Sequence, residues 1–336
     1  MNPKLMSHRE QSGFGLVELM IAMTIGLVLL GGIGYIFIGS RGAFRTTENL
    51  SRIQENARYA LDIMSRDIRM AGYAGCGNMA STRVTTIANP PVPPLTLGNS
   101  LIGYDGGSGW ANPTSITRAS GDVLSVMGAF NGGVNLVGNL APNNANVKVA
   151  SNPDGFEAGD VLIVTNCVNA DVFKATTVSA ASGVINIAHA SSSNTGNRVG
   201  IYGPDAFIMR MNQYSYFIGT PTVTATRPNP QPSLYRVGLD GNAEELVENV
   251  WDMQFRYGLD TNADGAADSY SATPGNWAQV VSVTVNLLLR SPDNNLSTSQ
   301  QPVTFNNGTF TPTGTDRRLY QVYSTTVGVR NRLSAM

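Results

Sequence analysis

Three groups of residues in this 336-residue chain are spaced so that they could do chemistry. The first is a single acid, Glu18, the only charge in the apolar run from Phe14 to Ile38. A carboxylate in such a run costs a few kcal/mol unless it is paired, so it marks a functional position that needs a partner, and the natural partner is an amine. Cleavage between Gly13 and Phe14 would supply one, because Phe14 would then carry a protonated α-amino group within about one helical turn of Glu18. The second group is the loop Asp260-Thr261-Asn262-Ala263-Asp264-Gly265-Ala266-Ala267-Asp268. It places side-chain oxygens at positions 1, 3, 5 and 9, a glycine at 6 and the Ala266 carbonyl at 7, the front half of an EF-hand-type calcium loop. Asp260, Asn262, Asp264, Ala266 and Asp268 are therefore the candidate calcium ligands. Ser271 stands where a bidentate Glu would complete the set, and a polar hairpin turn would use the same Asp, Asn and Gly residues. The third group is the two cysteines, Cys76 and Cys167. In an oxidising compartment one disulfide is the simplest reading, with two buried free thiols as the alternative.

Catalytic readings find little. Of two histidines, His8 precedes the cut, leaving His189 in the Ser-rich stretch Ala188–Ser193 with no acid close in sequence, where a solvated loop histidine is expected. There is no Gly-Xaa-Ser-Xaa-Gly elbow, phosphate loop or His-based zinc spacing, so no enzyme is expected and no cofactor is required. Charged residues make up 13% of the chain and the formal net charge is −1, which gives no electrostatic footprint for nucleic acid or an acidic lipid surface.

These groups need elements to position them. About 25 residues from Phe14 to Ile38 would make about 37 Å of helix, enough to cross a hydrocarbon core of about 30 Å. An ordinary secretory signal would have a shorter apolar core and a small-residue cleavage site at its far end. A plain signal anchor explains the length of the run but not the acid. Past the apolar run, Leu50, Ile53, Ala57, Leu61, Met64, Ile68 and Ala71 recur at spacings of three and four, one stripe of an amphipathic helix. Glu48/Arg52 and Asp62/Arg66 stand on its polar side as acid-before-base pairs. Gly72, Gly75 and Gly77 should end it. The organisation expected is residues 1–13 as a leader, 14–38 as a transmembrane and assembly helix, 39–71 as its amphipathic continuation and 72–336 as a β-rich domain.

Residues 72 to about 200 are turn-rich, with Asn89-Pro90-Pro91-Val92-Pro93-Pro94 as an extended segment. Two strands there begin alike, Gly121-Asp122-Val123-Leu124 and Gly159-Asp160-Val161-Leu162. They are expected as paired or equivalent strands of one sheet, each entered by a Gly-Asp turn. Farther on, Trp251, Met253, Phe255 and Tyr257 alternate with polar residues. Val281, Val283, Val285, Leu287 and Leu289 form a second alternating strand and Tyr320 to Val329 a third, with no helix-length crossover between them. The fold class is α+β: a long N-terminal helix packed on an antiparallel β-sheet domain, whose exposed edges would invite strand addition.

The stretch Gly13-Phe14-Gly15-Leu16-Val17-Glu18 resembles the class III signal of type IV pilins and pseudopilins, although position 15 is Gly where the family usually carries Thr or Ser. The resemblance implies cleavage after Gly13 by a prepilin peptidase, N-methylation of Phe14, and pairing of Glu18 with the terminal amine of a neighbouring subunit in the fibre. The run Arg52-Ile53-Gln54-Glu55-Asn56-Ala57-Arg58-Tyr59-Ala60-Leu61, then Asp67-Ile68-Arg69-Met70-Ala71-Gly72-Tyr73 and Gly75-Cys76, resembles the PilW-type minor pilins. The late Tyr323-Ser324-Thr325-Thr326-Val327 and Arg330-Asn331 resemble them too, and also the J-type pseudopilin of type II secretion. What this implies is a low-abundance subunit that helps start pilus assembly with other minor pilins, the major pilin, a large tip adhesin and an inner-membrane assembly platform. Such a protein sits in the inner membrane as a single-pass, pilin-like chain with its domain in the periplasm, and in the extracellular pilus after assembly. The alternatives are a J-type pseudopilin and a membrane-anchored adhesin or binding module.

Overall fold

The computed structural model describes residues 15–75, 82–89, 99–130 and 132–332. The chain divides into two compact units, residues 1–51 and 52–336. One 55-residue helix, Leu16–Met70, contributes to both. In the first unit its apolar residues are exposed, including Leu16, Val17, Leu19, Leu27, Leu30, Ile36 and Ile38, and the segment is long and apolar enough to cross a membrane. Thr24 turns its hydroxyl back on the helix, donating to the carbonyls of Met20 and Ile21. Helices tolerate such groups in an apolar setting when their bonds are made within the segment.

In the second unit Ile53, Ala57, Met64, Ile68 and Ala71 of the stripe have essentially no exposure, Ala60 joins them where the pattern had Leu61, and Leu61 is half-buried. They pack against Leu101, Leu124, Val126 and Tyr216 of one sheet and against Met253, Phe255, Val283, Val285 and Leu287 of another. Ala57 and Ala60 let the helix backbone come close to the sheets, while Ile53, Met64 and Ile68 each contribute about 1.5–3 kcal/mol by burial. Arg66, expected to pair with Asp62, instead lies 3.6 Å from Asp67.

The first sheet has ten strands organised around Phe207–Thr220. Val123–Ala129 pairs with this strand along Met211–Tyr216, and Val161–Thr165 pairs with it along Phe207–Arg210. The two strands entered by Gly-Asp are thus equivalent neighbours of one long strand and do not pair with each other. Gly121 holds φ +74° and packs against the Met253 backbone, where an added Cβ would lie 2.7 Å from the Met253 oxygen. That close approach lets Asp122 hold strand Val250–Leu259: its amide donates to the Met253 carbonyl at 2.7 Å and its Oδ2 accepts the Phe255 amide at 2.9 Å.

The second sheet joins Ser269–Ser271, Val250–Leu259, Val280–Arg290 and Tyr320–Gly328 in that order, all antiparallel as the alternation implied. Trp251 departs from the expected row. A register shift between Val250 and Asp252 breaks the alternation, so Met253, Phe255 and Tyr257 face the helix while Trp251 joins Leu288, Phe305, Phe310 and Tyr320 in a separate cluster. Two further features differ from the expectation of a plain antiparallel meander. Arg83–Thr86 pairs in parallel with Asn169–Val172. Asn146–Val149, Thr177–Ala181 and Val184–Ala188 form a third sheet, with a core of its own around Val147, Phe156, Phe173, Ile187 and Tyr202. The Asn89–Pro94 segment lies largely outside the described residues.

Candidate functional site

Gly13 and Phe14 lie outside the described residues, whereas Glu18 sits in the first turn of the helix. Four backbone N–H groups at a helix start have no intrahelical acceptor, and a carboxylate there is favoured by the helix dipole. Glu18 is exposed, so its carboxylate is accessible to a partner.

At the other end, the helix is tied to the sheets by polar groups. Asp67, 2% exposed, faces the first sheet. Its Oδ2 accepts the Tyr216 hydroxyl at 2.5 Å and the Arg236 guanidinium at 3.3 Å. Arg236 also donates to Glu244 at 2.7 Å and lies over the Tyr214 ring at 4.5 Å. Burial, with Asp67 beside it, pushes the Tyr216 hydroxyl well above the usual phenol range. Asn331 completes the anchor by donating to the helix-end carbonyls of Ala71 at 3.2 Å and Arg69 at 3.4 Å. Gly128 allows the contact from the sheet side, since an added Cβ would lie 2.5 Å from the Met70 oxygen. Asp67 and Asn331 stand in motifs legible in the sequence, but nothing local to either joins them to Tyr216 and Arg236. A charged residue within three positions of Met64 and one before Ile68 was the only local sign that Asp67 is buried.

Cys76 lies outside the described residues, and there is no free cysteine among the described ones. Gly75, the residue before it, packs on Thr165, where an added Cβ would be 2.8 Å from Thr165 Cγ2. Cys167 adopts φ +73° and donates its amide to Thr165 Oγ1.

In the 260–268 loop every acid engages the loop itself. Asp260 accepts from the amides of Ala263, Asp264 and Gly265, Asp264 accepts from the Ala266 amide, and Asp268 accepts from the Thr261 amide and hydroxyl. The Thr261 hydrogen bonds hold the Asp268 carboxyl below the usual carboxylate range. Asn262 presents its oxygen to the Asp264 amide and its NH2 to Asp264 and Asp268, at 3.1 and 3.3 Å. As arranged, Asn262 opposes a cation with a donor, and among the described residues no group of three or more His, Cys, Asp or Glu side chains is placed to hold a metal ion.

His189 is not a solvated loop histidine. Its exposure is 0%, its ring lies on Phe173 with centroids 5.0 Å apart, and neither ring nitrogen has a hydrogen-bond partner among the described residues. Its amide donates to the Ala145 carbonyl, which draws the residue under the third sheet. Burial pulls its pKa below that of free imidazole. The neighbouring Asp171 is engaged by the Tyr202 hydroxyl and the Gly200 amide, so no carboxylate orients the ring as a base would require.

Residues 215–331 match the family described as type IV pilus-assembly protein W, and residues 8–34 match the prokaryotic N-terminal methylation motif. Both describe structural parts of pili rather than enzymes. No curated protein and no solved structure matches the chain.

Proposed function

Since the chain is of the PilW type, with that family's region over residues 215–331 behind an N-terminal methylation motif, we propose that this minor pilin helps initiate type IV pilus assembly near the fibre tip. The observation that carries the proposal is the placement of Glu18 in the first turn of an exposed apolar helix. An unpaired carboxylate is costly in a bilayer, and the terminal amine of a neighbouring subunit would offset that cost in the fibre. The anchor formed by Asp67, Tyr216, Arg236 and Asn331 supports the same reading, because it ties the C-terminal end of the helix to the family region that partners would meet. In this proposal the chain waits in the inner membrane with its β domain in the periplasm. It is processed by a prepilin peptidase and joins other minor pilins, the major pilin and a tip adhesin on the assembly platform.

Deletion of the gene, with electron microscopy of sheared surface fibres, tests the proposal. Loss of pili restored by the intact gene is expected. Normal piliation overturns it, and a secretion defect with intact pili would favour a J-type pseudopilin instead.

A further inference from the structure

The central strand of the ten-stranded sheet has an open stretch along one flank. The Ile218 carbonyl accepts from the Ala119 amide and the Ala206 carbonyl from the Leu136 amide, each at 2.9 Å. Even-numbered residues therefore point their backbone groups toward the flank held by Val123–Ala129 and Val134–Asn135, and odd-numbered ones toward the other. On that other flank Val161–Thr165 pairs with Phe207–Arg210 and Ser233–Val237 pairs with Ser215–Gly219. Between them, Met211 to Tyr214 have no strand partner on that side. A cleft of about 720 Å³ opens there, with Lys174, Asp160 and Arg210 toward one end and Tyr214, Leu239 and Asp240 toward the other. Its size is that of a ligand site.

The charges in the cleft are all engaged except one. Arg210 is held by Asp160 at 2.7 Å, and Asp240 folds onto Asn242, accepting its amide and its side-chain NH2. Tyr214 is held beneath Arg236. The Lys174 backbone is pinned on both sides by Asn194, yet among the described residues its amine has no ion-pair or hydrogen-bond partner. An unpaired strand flank beside a lone cation is complementary to a peptide main chain that ends in a carboxylate.

We propose that this cleft captures the free C-terminal end of another protein chain, adding its main chain to Met211–Tyr214 and placing its α-carboxylate on Lys174. The open stretch is four residues, about 13 Å, and strands close it at both ends. A continuous strand therefore has no way through, whereas a chain that terminates in the cleft satisfies both the backbone and the cation. The proposal goes beyond the pilin reading and is tested without reference to piliation.

The test is binding of fluorescein-labelled Ser-Thr-Val-Thr, with a free carboxyl end, to the purified full-length chain in detergent, followed by anisotropy. The C-terminal amide of the same peptide should bind about fivefold more weakly, the size of one solvent-accessible ion pair. Lys174→Ala should remove that difference, and an N-methyl group on the central peptide bond should abolish binding by blocking main-chain pairing. Equal binding of acid and amide, equal binding of the N-methylated peptide, or no binding at millimolar peptide each overturns the proposal. A circular dichroism spectrum of Lys174→Ala identical to the parent keeps loss of folding from imitating the expected result.

Discussion

The Tyr216 hydroxyl donates to Asp67 across 149 residues of sequence, joining the helix to the central strand of the ten-stranded sheet inside the core. Asp67 is almost fully buried, and Arg236 shares the same Oδ2 with Tyr216. A buried carboxylate is tolerated only while its partners remain, so the two partners set how firmly the helix is held.

Tyr216→Phe removes a hydrogen bond to a charged group and should cost about 1.5–3 kcal/mol. Arg236→Met leaves Asp67 only the exposed Arg66, 3.6 Å from its other oxygen, and should cost about 3 kcal/mol. Denaturant unfolding of the full-length chain in detergent measures both. The double variant should lose less than the sum, because the two share one carboxylate; strict additivity would show that the groups act independently.

His189 should make the third sheet acid-labile. Its folded pKa lies below that of free imidazole, about 6.5, so the unfolded chain takes up the proton first. The stability it contributes is complete above about pH 6.5 and is lost as pH falls below that value. Hydrogen-exchange protection of Asn146–Val149 and Val184–Ala188 should drop between pH 7.5 and 5.5, and His189→Leu should flatten the change. Equal protection at both pH values in the parent chain would count against this account.

A Cys76–Cys167 disulfide is proposed on the approach of Gly75 to Thr165 beside the Cys167 turn. It would close a loop of about 90 residues and stabilise the domain by up to about 4.6 kcal/mol on chain-entropy grounds. Thiol labelling of the unreduced, denatured chain should find no free thiol, and reduction should lower the melting temperature. Two labelled thiols would rule the bridge out.

Calcium at the 260–268 loop is a proposal carried by three carboxylates within nine residues, whose mutual repulsion a cation would relieve. Binding requires Asn262 to reverse its amide, since its NH2 now faces Asp264 and Asp268. The chain should then melt higher in millimolar calcium than in chelator, with Asp264→Ala removing the difference. An unchanged melting temperature leaves the loop as a self-satisfied turn.

Processing and assembly are separable at Gly13 and Glu18. Mass spectrometry of the mature chain should begin at N-methyl-Phe14, and Gly13→Val should leave the precursor uncut. Glu18→Ala should be cut and inserted in the membrane yet enter pili poorly. Normal incorporation of that variant would show that the carboxylate is dispensable.

What the sequence by itself determined was whatever repeats or closes locally. The Ile53–Ala71 stripe, the apolar run around Glu18, the Gly-Asp turns before Val123 and Val161 and the alternation in Val283–Leu289 each depend on neighbours within a turn or two, and each appears where the pattern placed it. Tertiary structure alone decided how distant segments met. The bulge that diverts Trp251 depends on its pairing with Val280–Arg290, and the parallel pairing of Arg83–Thr86 depends on a strand more than eighty residues away. His189 lies in a polar stretch that reads as solvated, and only the third sheet and Phe173 enclose it. The open flank at Met211–Tyr214 is visible in no local pattern either, because it is made by where two other strands stop.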